Sequence, residues 1–410
     1  MISAESFLLL ISSTLFLCYV SGLIYTKTRI PDMVWILGLG VLLGPVLGYF
    51  EKETFIYLSP LMGVVAICII TFDSGIEIDI RVFTKVFIKS AALTVATFIV
   101  VVLSVGYAIH LLMANSFTIL EGMLLGTMVA GLSTVALKSL LEGMRRHIPR
   151  LESTNAILTL ESTLCDPIRV VVAITIIRII MEPGVSTRDS LKDIVYTFVA
   201  ASGIGLAFSL AWAEVLDKCR GRPLNYVMTL AALFPIYLLA EVFAGDGGGT
   251  MASFVFGLVL ANYRHVARRL GLNRNLRPDK RRIIEFNREI TFLLKSYYFV
   301  YIGLIASLSS RYMLVGLSLV AIILAVRYAI TTFIGRLLKF SMEELVISRL
   351  AFTLGTSTLV MSQLPSIFDA ERVYFTHPEI YPDLCVPIVL GTILFTAIAS
   401  PQIAKRQLKT

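Results

Sequence analysis

The chain has 410 residues, of which 57% are hydrophobic and only 16% are charged, and its formal net charge is +8. A water-soluble core has no room for so much apolar side chain, so the composition excludes a soluble protein and predicts one that lies in lipid. The basic residues fall on alternate loops, as they do in membrane proteins, which argues against a nucleic-acid partner.

Apolar stretches long enough to cross a bilayer recur along the whole chain. They predict an all-α polytopic membrane protein, with a single transmembrane domain over residues 1–410 and no soluble domain. The first stretch lacks a preceding basic region, so we expect a retained helix there and not a cleaved signal peptide. About thirteen transmembrane helices are predicted, with a short ninth, at residues 7–25, 33–49, 55–76, 87–112, 119–141, 154–180, 194–216, 224–243, 250–262, 290–308, 313–337, 345–364 and 384–403.

Lysine and arginine are unevenly distributed between the two sets of loops. One set holds most of them, whereas the other holds only Lys52, Arg188, Lys192, Arg311 and Arg372. Because cytoplasmic loops carry the basic excess, this pattern predicts an outside N-terminus, a cytoplasmic C-terminus and an odd number of spans. The longest inside loop, residues 263–289, fits either an amphipathic helix on the anionic inner leaflet or a solvated linker.

Residues 131–137 and 355–361 share one pattern, Gly-x-Ser-Thr followed by three apolar residues. If residues 190–217 form a linker helix, residues 1–181 and 222–410 form two six-helix repeats, and each pattern falls on a fifth helix. Because one helix lies between the two repeats, the second repeat inserts into the membrane upside down relative to the first. Inverted repeats with interrupted helices at matching positions are typical of secondary transporters. For either pattern alone, close helix packing through small residues is the alternative explanation.

The sixth span has the most charges, in the segment ESTLCDPIR at residues 161–169. Inserting an ionisable group at the centre of a transmembrane helix costs roughly 2.5–3.5 kcal/mol, so we expect each such group to have a charge partner or a function. Ser162, Asp166 and Arg169 share one helical face, and Pro167 frees a carbonyl beside them. Burial disfavours the charged form of Asp166, so its carboxylate can carry either a proton or a cation but not both, as an antiporter requires. Alternatively, Asp166 and Arg169 simply neutralise each other.

Four segments follow one another in a recognisable order. Residues 29–31 (RIP) lead to a Gly-Pro pair at 44–45, residues 72–79 read FDSGIEID, residues 161–167 read ESTLCDP, and residues 292–296 read FLLKS before a Gly-Leu pair at 303–304. They resemble the second helix and the F-E-G-G-L-E-I-D, E-S-x-x-N-D-P and F-L-L-N-S…G-L segments of the monovalent cation:proton antiporter family, in particular NhaP-type sodium/proton exchangers. The resemblance covers nearly the whole chain.

This resemblance implies an NhaA/NhaP-like fold in which two broken helices cross, and an exchange of Na⁺, or of Li⁺ or K⁺, for H⁺ by alternating access. The family is usually homodimeric, and we expect a multi-pass protein of the plasma membrane without a cofactor. The resemblance implies an ion and proton site formed by Asp166, Ser162, Asp73, Cys165, Leu132, Ser133 and Thr134. It also implies a structural charge pair, Glu161 and Arg327. The possible modulators are Arg169, Lys295, Ser357 and Thr358.

Three departures from the family pattern affect these expectations. Cys165 replaces an Asn or Asp, residues 132–134 read Leu-Ser-Thr in place of Thr-Asp-Pro, as in the KefC and NapA branch, and Arg169 replaces a small or apolar residue. With one acid in the Cys165-Asp166 pair, we expect one cation per proton. A transport-inactive, channel-like or sensor protein disabled by Arg169 is the alternative. An intramembrane aspartyl protease would need a Gly-x-Gly-Asp motif, which Cys165-Asp166-Pro167 is not.

Overall fold

The computed structural model describes residues 4–28, 31–50, 52–133, 137, 141, 151–182, 187–219, 225–271, 280–307, 309–369 and 371–407. Within these ranges the regular secondary structure is entirely helical, which confirms the all-α class. The helices are α1 Ala4–Thr28, α2 Asp32–Val41, α3 Lys52–Glu77, α4 Ile80–Leu112, α5 Ile119–Val129, α6 Leu151–Met181, α7 Thr187–Lys218, α8 Asn225–Ala244, α9 Gly248–Ala261, α10 Tyr263–Arg269, α11 Lys280–Ile305, α12 Ser310–Leu337, α13 Met342–Leu350, α14 Thr356–Met361, α15 Leu364–Phe368, α16 Ile380–Leu394 and α17 Ser400–Gln407.

Within the described ranges each of the thirteen predicted spans overlaps a helix, but the spans at 119–141 and 345–364 contain non-helical backbone at residues 130–133 and 351–355. Within the described ranges, six helices are long and apolar enough to cross a bilayer, while α2, α5 and the short α9 are apolar but brief. Helix α6 is long enough but carries five charged side chains, which lower its hydropathy. The six spans are Leu8–Tyr25, Thr84–Leu112, Lys192–Lys218, Val227–Ala244, Ser310–Leu337 and Ile380–Gln407.

Two of the differences from the predicted helix boundaries have a clear cause in the sequence. Helix α2 continues as a π-helical turn, Leu42–Val46, because Pro45 cannot donate a backbone hydrogen bond. Helix α11 begins at Lys280, ten residues before the predicted span, since its first turns are charged and escape a hydropathy criterion. The basic loop at 263–289 thus contains α10 and the start of α11, and its residues 272–279 lie outside the described ranges.

The chain divides into two compact units, each of which draws on both predicted repeats. The first unit comprises Met1–Gly63, Val86–Cys165 and Leu293–Thr410; the second comprises Val64–Lys85 and Asp166–Phe292. In the first, Leu158 of α6, Ile347 of α13 and Ala404 of α17 share one apolar cluster. In the second, α3 and α9 touch at Gly75 and Gly257, where a Cβ atom would collide with the opposite backbone. The proposed division into residues 1–181, 190–217 and 222–410 stays a prediction.

Glu344 anchors the start of α13 within the first unit. Its carboxylate accepts hydrogen bonds from Lys89 Nζ (2.7 Å) and Ser153 Oγ (2.6 Å), and it closes a capping box with Ser341. Burial acts to raise the pKa of Glu344, but the hydrogen bonds from Lys89, Ser153 and the Ser341 backbone together hold that pKa below its ordinary value of 4.5. Helix α13 is thereby tied to α4 and α6.

We expect Glu344→Gln to lower the thermal unfolding temperature at neutral pH. A carboxylate with a lowered folded-state pKa stabilises the protein above its unfolded value of 4.5 and loses that contribution as the pH falls through the folded-state pKa. The difference in Tm between wild type and variant should therefore shrink on acidification below pH 4.5. Glu343→Gln, next to it in the same first turn, is the matched control. A Tm difference that does not change with pH would contradict the assignment.

Candidate functional site

Two helices of the first unit are interrupted by non-helical backbone. Helix α5 ends at Val129, and residues 130–133 leave the helix; α13 ends at Leu350, and α14 begins only at Thr356. The Ser133 N–H donates to the Thr353 carbonyl at 2.6 Å, so the two interruptions contact each other directly. A break in a helix releases carbonyls from their usual i+4 partners, so each interruption has oxygens to offer to other groups.

Helix α6 supplies donors to the first interruption. Ser162 Oγ donates to the Leu132 carbonyl at 2.8 Å, and Cys165 Sγ donates to the Ala130 carbonyl at 2.9 Å. Ser162, Cys165 and Leu132 are buried, where an unpaired carbonyl would be costly. The hydroxyl and the thiol therefore fix the interrupted backbone against α6 immediately before Asp166 in the chain.

Glu161 and Arg327 form a buried, bidentate ion pair in the first unit. Arg327 Nη1 and Nη2 donate to the two carboxylate oxygens of Glu161, the second at 2.9 Å. Arg327 Nε also donates to the Ser348 carbonyl at 2.9 Å, and its guanidinium lies 5.9 Å from the centre of the Phe352 ring. Because Ser348 and Phe352 flank the start of the second interruption, Arg327 connects α6 and α12 to that broken segment.

Asp166 contacts Arg169 within the second unit. Arg169 Nη2 lies 3.3 Å from Asp166 Oδ1, one helical turn along α6, and the Arg169 side chain is 1% exposed. A guanidinium so fully removed from water needs a negative partner, and Asp166 is near enough to provide one. This contact is the one that the alternative interpretation of the sequence requires, in which Asp166 and Arg169 neutralise each other.

Asp73 contacts a residue that the sequence analysis missed. Asn287 Nδ2 on α11 donates to Asp73 Oδ1 on α3 at 2.7 Å, and one turn further along α3 Glu77 lies 3.9 Å from Arg288. Asn287 is 4% exposed, although it lies among charged residues. The sequence signal that could have identified it is the spacing of Asn287 and Thr291, two uncharged polar residues four apart and so on one helical face, both of which the structure buries.

The remaining predicted residues have more varied positions. Lys295 lies half-buried on α11, and Thr134 lies outside the described residues. Ser357 and Thr358 were expected in the second interruption, but they lie in α14, because the interruption occupies residues 351–355 and shares only Gly355 with the Gly-x-Ser-Thr pattern. Gly355 is the N-cap of α14, a position that Gly, Ser and Thr favour, so the pattern begins the second half-helix instead of breaking it.

Gly355→Ala is expected to loosen the crossing of the two interruptions. A Cβ atom at Gly355 would lie 2.6 Å from Ser133 Oγ and 2.9 Å from Ser133 Cβ. Such overpacking destabilises proteins by about 1–3 kcal/mol. Thermal unfolding in detergent measures the loss, and Gly38→Ala, where a Cβ atom meets nothing within 4 Å, is the control. Equal Tm values for the two variants would show that the contact is not tight.

Comparison with known proteins identifies the family. A sequence profile described as "Sodium/hydrogen exchanger, transmembrane" matches residues 12–408. The chain is 23% identical over 301 residues to Na(+)/H(+) antiporter 1 of Methanocaldococcus jannaschii, covering 71% of this chain and 67% of that one. It is 25% identical over 245 residues to K(+)/H(+) antiporter NhaP2 of Shewanella oneidensis, covering 58% of this chain but only 40% of that protein.

A solved structure shares the fold over almost its entire length. The structure of the sodium proton antiporter MjNhaP1 from M. jannaschii at pH 8 matches with a TM-score of 0.78 at 20% identity, covering 97% of this chain and 99% of that one. The likeness confirms the predicted all-α polytopic membrane fold. Because the family profile spans nearly every residue, the chain belongs to the sodium/hydrogen exchanger family of transmembrane proteins.

Proposed function

We propose that this protein exchanges a monovalent cation for protons across a membrane by alternating access, and that cation and proton compete for Asp166. Membership of the sodium/hydrogen exchanger family supports antiport, and the relatives are named as antiporters and not as enzymes. The observation that carries the proposal is the contact between the two interrupted helices, which α6 secures through Ser162 and Cys165. Asp166 is the next residue on that helix.

The exchange follows from the chemistry of a buried carboxylate. A charged Asp166 is costly away from water, and Arg169, a proton or a monovalent cation can each offset that cost, but a proton and a cation cannot occupy the carboxylate together. Ser162, Asp73 and the carbonyls near Leu132 and Ser133 are the further oxygen ligands that we propose, since alkali cations bind oxygen. Cys165 has a different role in this scheme, because its thiol donates to a carbonyl and holds the interruption in place.

Arg169 competes with the cation for Asp166 in this scheme. We expect Arg169→Gln to lower the apparent KM for the cation, by at least about tenfold, the lower end of what a neighbouring charge does to a carboxylate. The measurement is cation-dependent proton flux at alkaline pH, where protons compete least. Arg178→Gln, on the same helix but paired with Asp246 at the surface, should leave KM unchanged. A higher KM for a folded Arg169→Gln protein would show that Arg169 supports cation binding.

The cation and the setting of the protein are part of the proposal. We propose Na⁺ as the substrate, with K⁺ and Li⁺ as alternatives, because curated relatives are named for Na⁺ and for K⁺. One carboxylate in the Cys165-Asp166 pair favours one cation per proton. We further propose a plasma-membrane protein with its N-terminus outside, for which the distribution of Lys and Arg is the support. The homodimer that we also propose rests on the family resemblance alone.

The test is proton flux in liposomes that contain the purified protein and a pH-sensitive dye. After a pH gradient is imposed, Na⁺, Li⁺ or K⁺ is added outside, and each transported cation should release the gradient. We expect a response to at least one cation, absent from liposomes without protein. No response to any of the three across a range of pH would refute exchange and favour a transport-inactive member of the family.

A further inference from the structure

A cavity outside the proposed cation site lies entirely within the second unit. It has a volume of about 310 Å³ and is lined by residues 79–81 and 260–265. These are the two places where α3 turns into α4 and where α9 turns into α10. By the distribution of Lys and Arg, both turns are on the predicted cytoplasmic side.

Asn262 gives this cavity a fixed backbone. Its side chain is almost fully buried; Nδ2 donates to the Ile78 carbonyl at 2.8 Å, and Oδ1 accepts from the Ile80 N–H at 3.0 Å. The Asn262 amide thereby binds the backbone of the residues on either side of Asp79. The carboxylate of Asp79 accepts a hydrogen bond from the Arg81 N–H at 3.0 Å. Because these bonds occupy the backbone groups around the turn, recognition of a ligand depends on the side chains.

The side chains at the cavity favour an anion that carries phosphate. Arg81 and Arg264 line it from the two different turns, His265 lies beside Arg264, and Asp79 is the opposing carboxylate. Two guanidinium groups against one carboxylate leave a net positive charge. The planar guanidinium matches phosphate oxygens in a bidentate manner, which makes arginine the common residue for phosphate recognition.

The surroundings of the cavity favour a ligand that is held in the membrane. Helix α9, which ends at the cavity, is apolar throughout, so the cavity lies where apolar helix gives way to basic loop. Helix α10 buries Tyr263 and Ala267 and exposes Arg268 and Arg269, and the following Leu270 is 52% exposed. A short segment with a buried apolar side, exposed arginines and an exposed leucine suits the interface between lipid and water.

We propose that this cavity binds the phosphodiester headgroup of an anionic phospholipid through Arg81 and Arg264. The volume accommodates a phosphate with its glycerol, while the acyl chains remain in the bilayer. Basic pockets between transmembrane helices on the cytoplasmic side are suited to such headgroups. Lipid bound here would join the α3–α4 turn to the α9–α10 turn from outside, as Asn262 does from within.

The experiment uses the full-length protein, delipidated in a neutral detergent and titrated with phosphatidylglycerol. Native mass spectrometry counts bound lipid, and the thermal unfolding temperature reports its effect on stability. We expect saturable binding of one tight lipid per chain and a rise in Tm. Arg81→Gln together with Arg264→Gln should weaken the apparent Kd about 30-fold, as the loss of two arginine contacts to an anionic lipid predicts.

Three further sets of measurements serve as controls for this experiment. Arg268→Gln with Arg269→Gln removes the same charge beside the cavity and should leave the tight lipid in place; equal weakening by both double variants would overturn a specific site. Phosphatidylcholine and glycerol 3-phosphate should not reproduce the Tm shift. A full shift with glycerol 3-phosphate would assign the cavity to a soluble phosphate. If the glutamine variant does not fold, Arg81→Lys with Arg264→Lys replaces it: this variant keeps the charge but lacks the planar guanidinium, so it should bind the lipid more weakly than wild type. Unchanged affinity would overturn recognition by the two guanidinium groups.

Discussion

Asp166→Asn is expected to reduce cation-driven proton flux to the level of liposomes without protein. The amide has nearly the shape of the carboxylate, but it can neither take up a proton nor carry the negative charge that a cation neutralises. Both halves of the exchange are therefore lost at once. The measurement is the liposome assay described above, with Na⁺, Li⁺ and K⁺ each tested over a range of pH.

The matched control for this variant is Asp246→Asn. Asp246 belongs to the same unit and also pairs with an arginine of α6, because Arg178 Nη2 lies 2.6 Å from Asp246 Oδ2. That pair is partly exposed, so its loss should have little effect. Flux retained by Asp166→Asn would place the exchanged proton on another residue, even if the wild-type protein is an exchanger.

The second large effect is expected at the Glu161–Arg327 pair. Glu161→Gln leaves the fully buried Arg327 without its carboxylate, and Arg327→Met leaves Glu161 without its guanidinium. Removing one member of a buried pair destabilises proteins by about 3–5 kcal/mol, because the remaining charge stays in a medium of low polarity. We expect a large fall in the thermal unfolding temperature for either single variant.

The double variant distinguishes the pair from two independent contacts. Glu161→Gln with Arg327→Met leaves no unpaired charge, so it should be more stable than the sum of the single effects predicts. The coupling is measured from Tm values of all four proteins in one detergent. Part of the loss should remain, because Met cannot donate to the Ser348 carbonyl as Arg327 Nε does. Additive effects would show that the two side chains do not act as a pair.

The helices of the fold were predictable because hydropathy directly reports apolar segments of bilayer length. Within the described residues all thirteen expected spans overlap a helix, and two of them are interrupted. Boundaries were less predictable: α11 begins at Lys280 within a charged stretch, and charged residues that continue a helix beyond the apolar segment have no hydropathy signal.

The sequence indicated the polar side chains of α6 and the first interruption, but not the second interruption. The acid, the hydroxyl and the thiol on α6 were visible as polar residues in an apolar span, and the interruption at 130–133 includes Leu132 and Ser133, where a break was expected. That these groups bind the cation stays a prediction. The second interruption was not located, since the Gly-x-Ser-Thr pattern at 355–358 starts α14, and the four residues before it have no glycine or proline to mark them. The partners Asn287, Ala130 and Thr353 depend on contacts between segments distant in sequence, which periodicity does not report.

The hydrogen bonds at the first interruption have a consequence for evolution. Ser162 and Cys165 donate to the carbonyls of Leu132 and Ala130, and every amino acid provides a carbonyl. Selection at residues 130–133 therefore acts mainly on the path of the chain, whereas at 162 and 165 it acts on the side chain itself. Relatives are free to replace one tripeptide by another at the interruption while they preserve the oxygens that α6 meets.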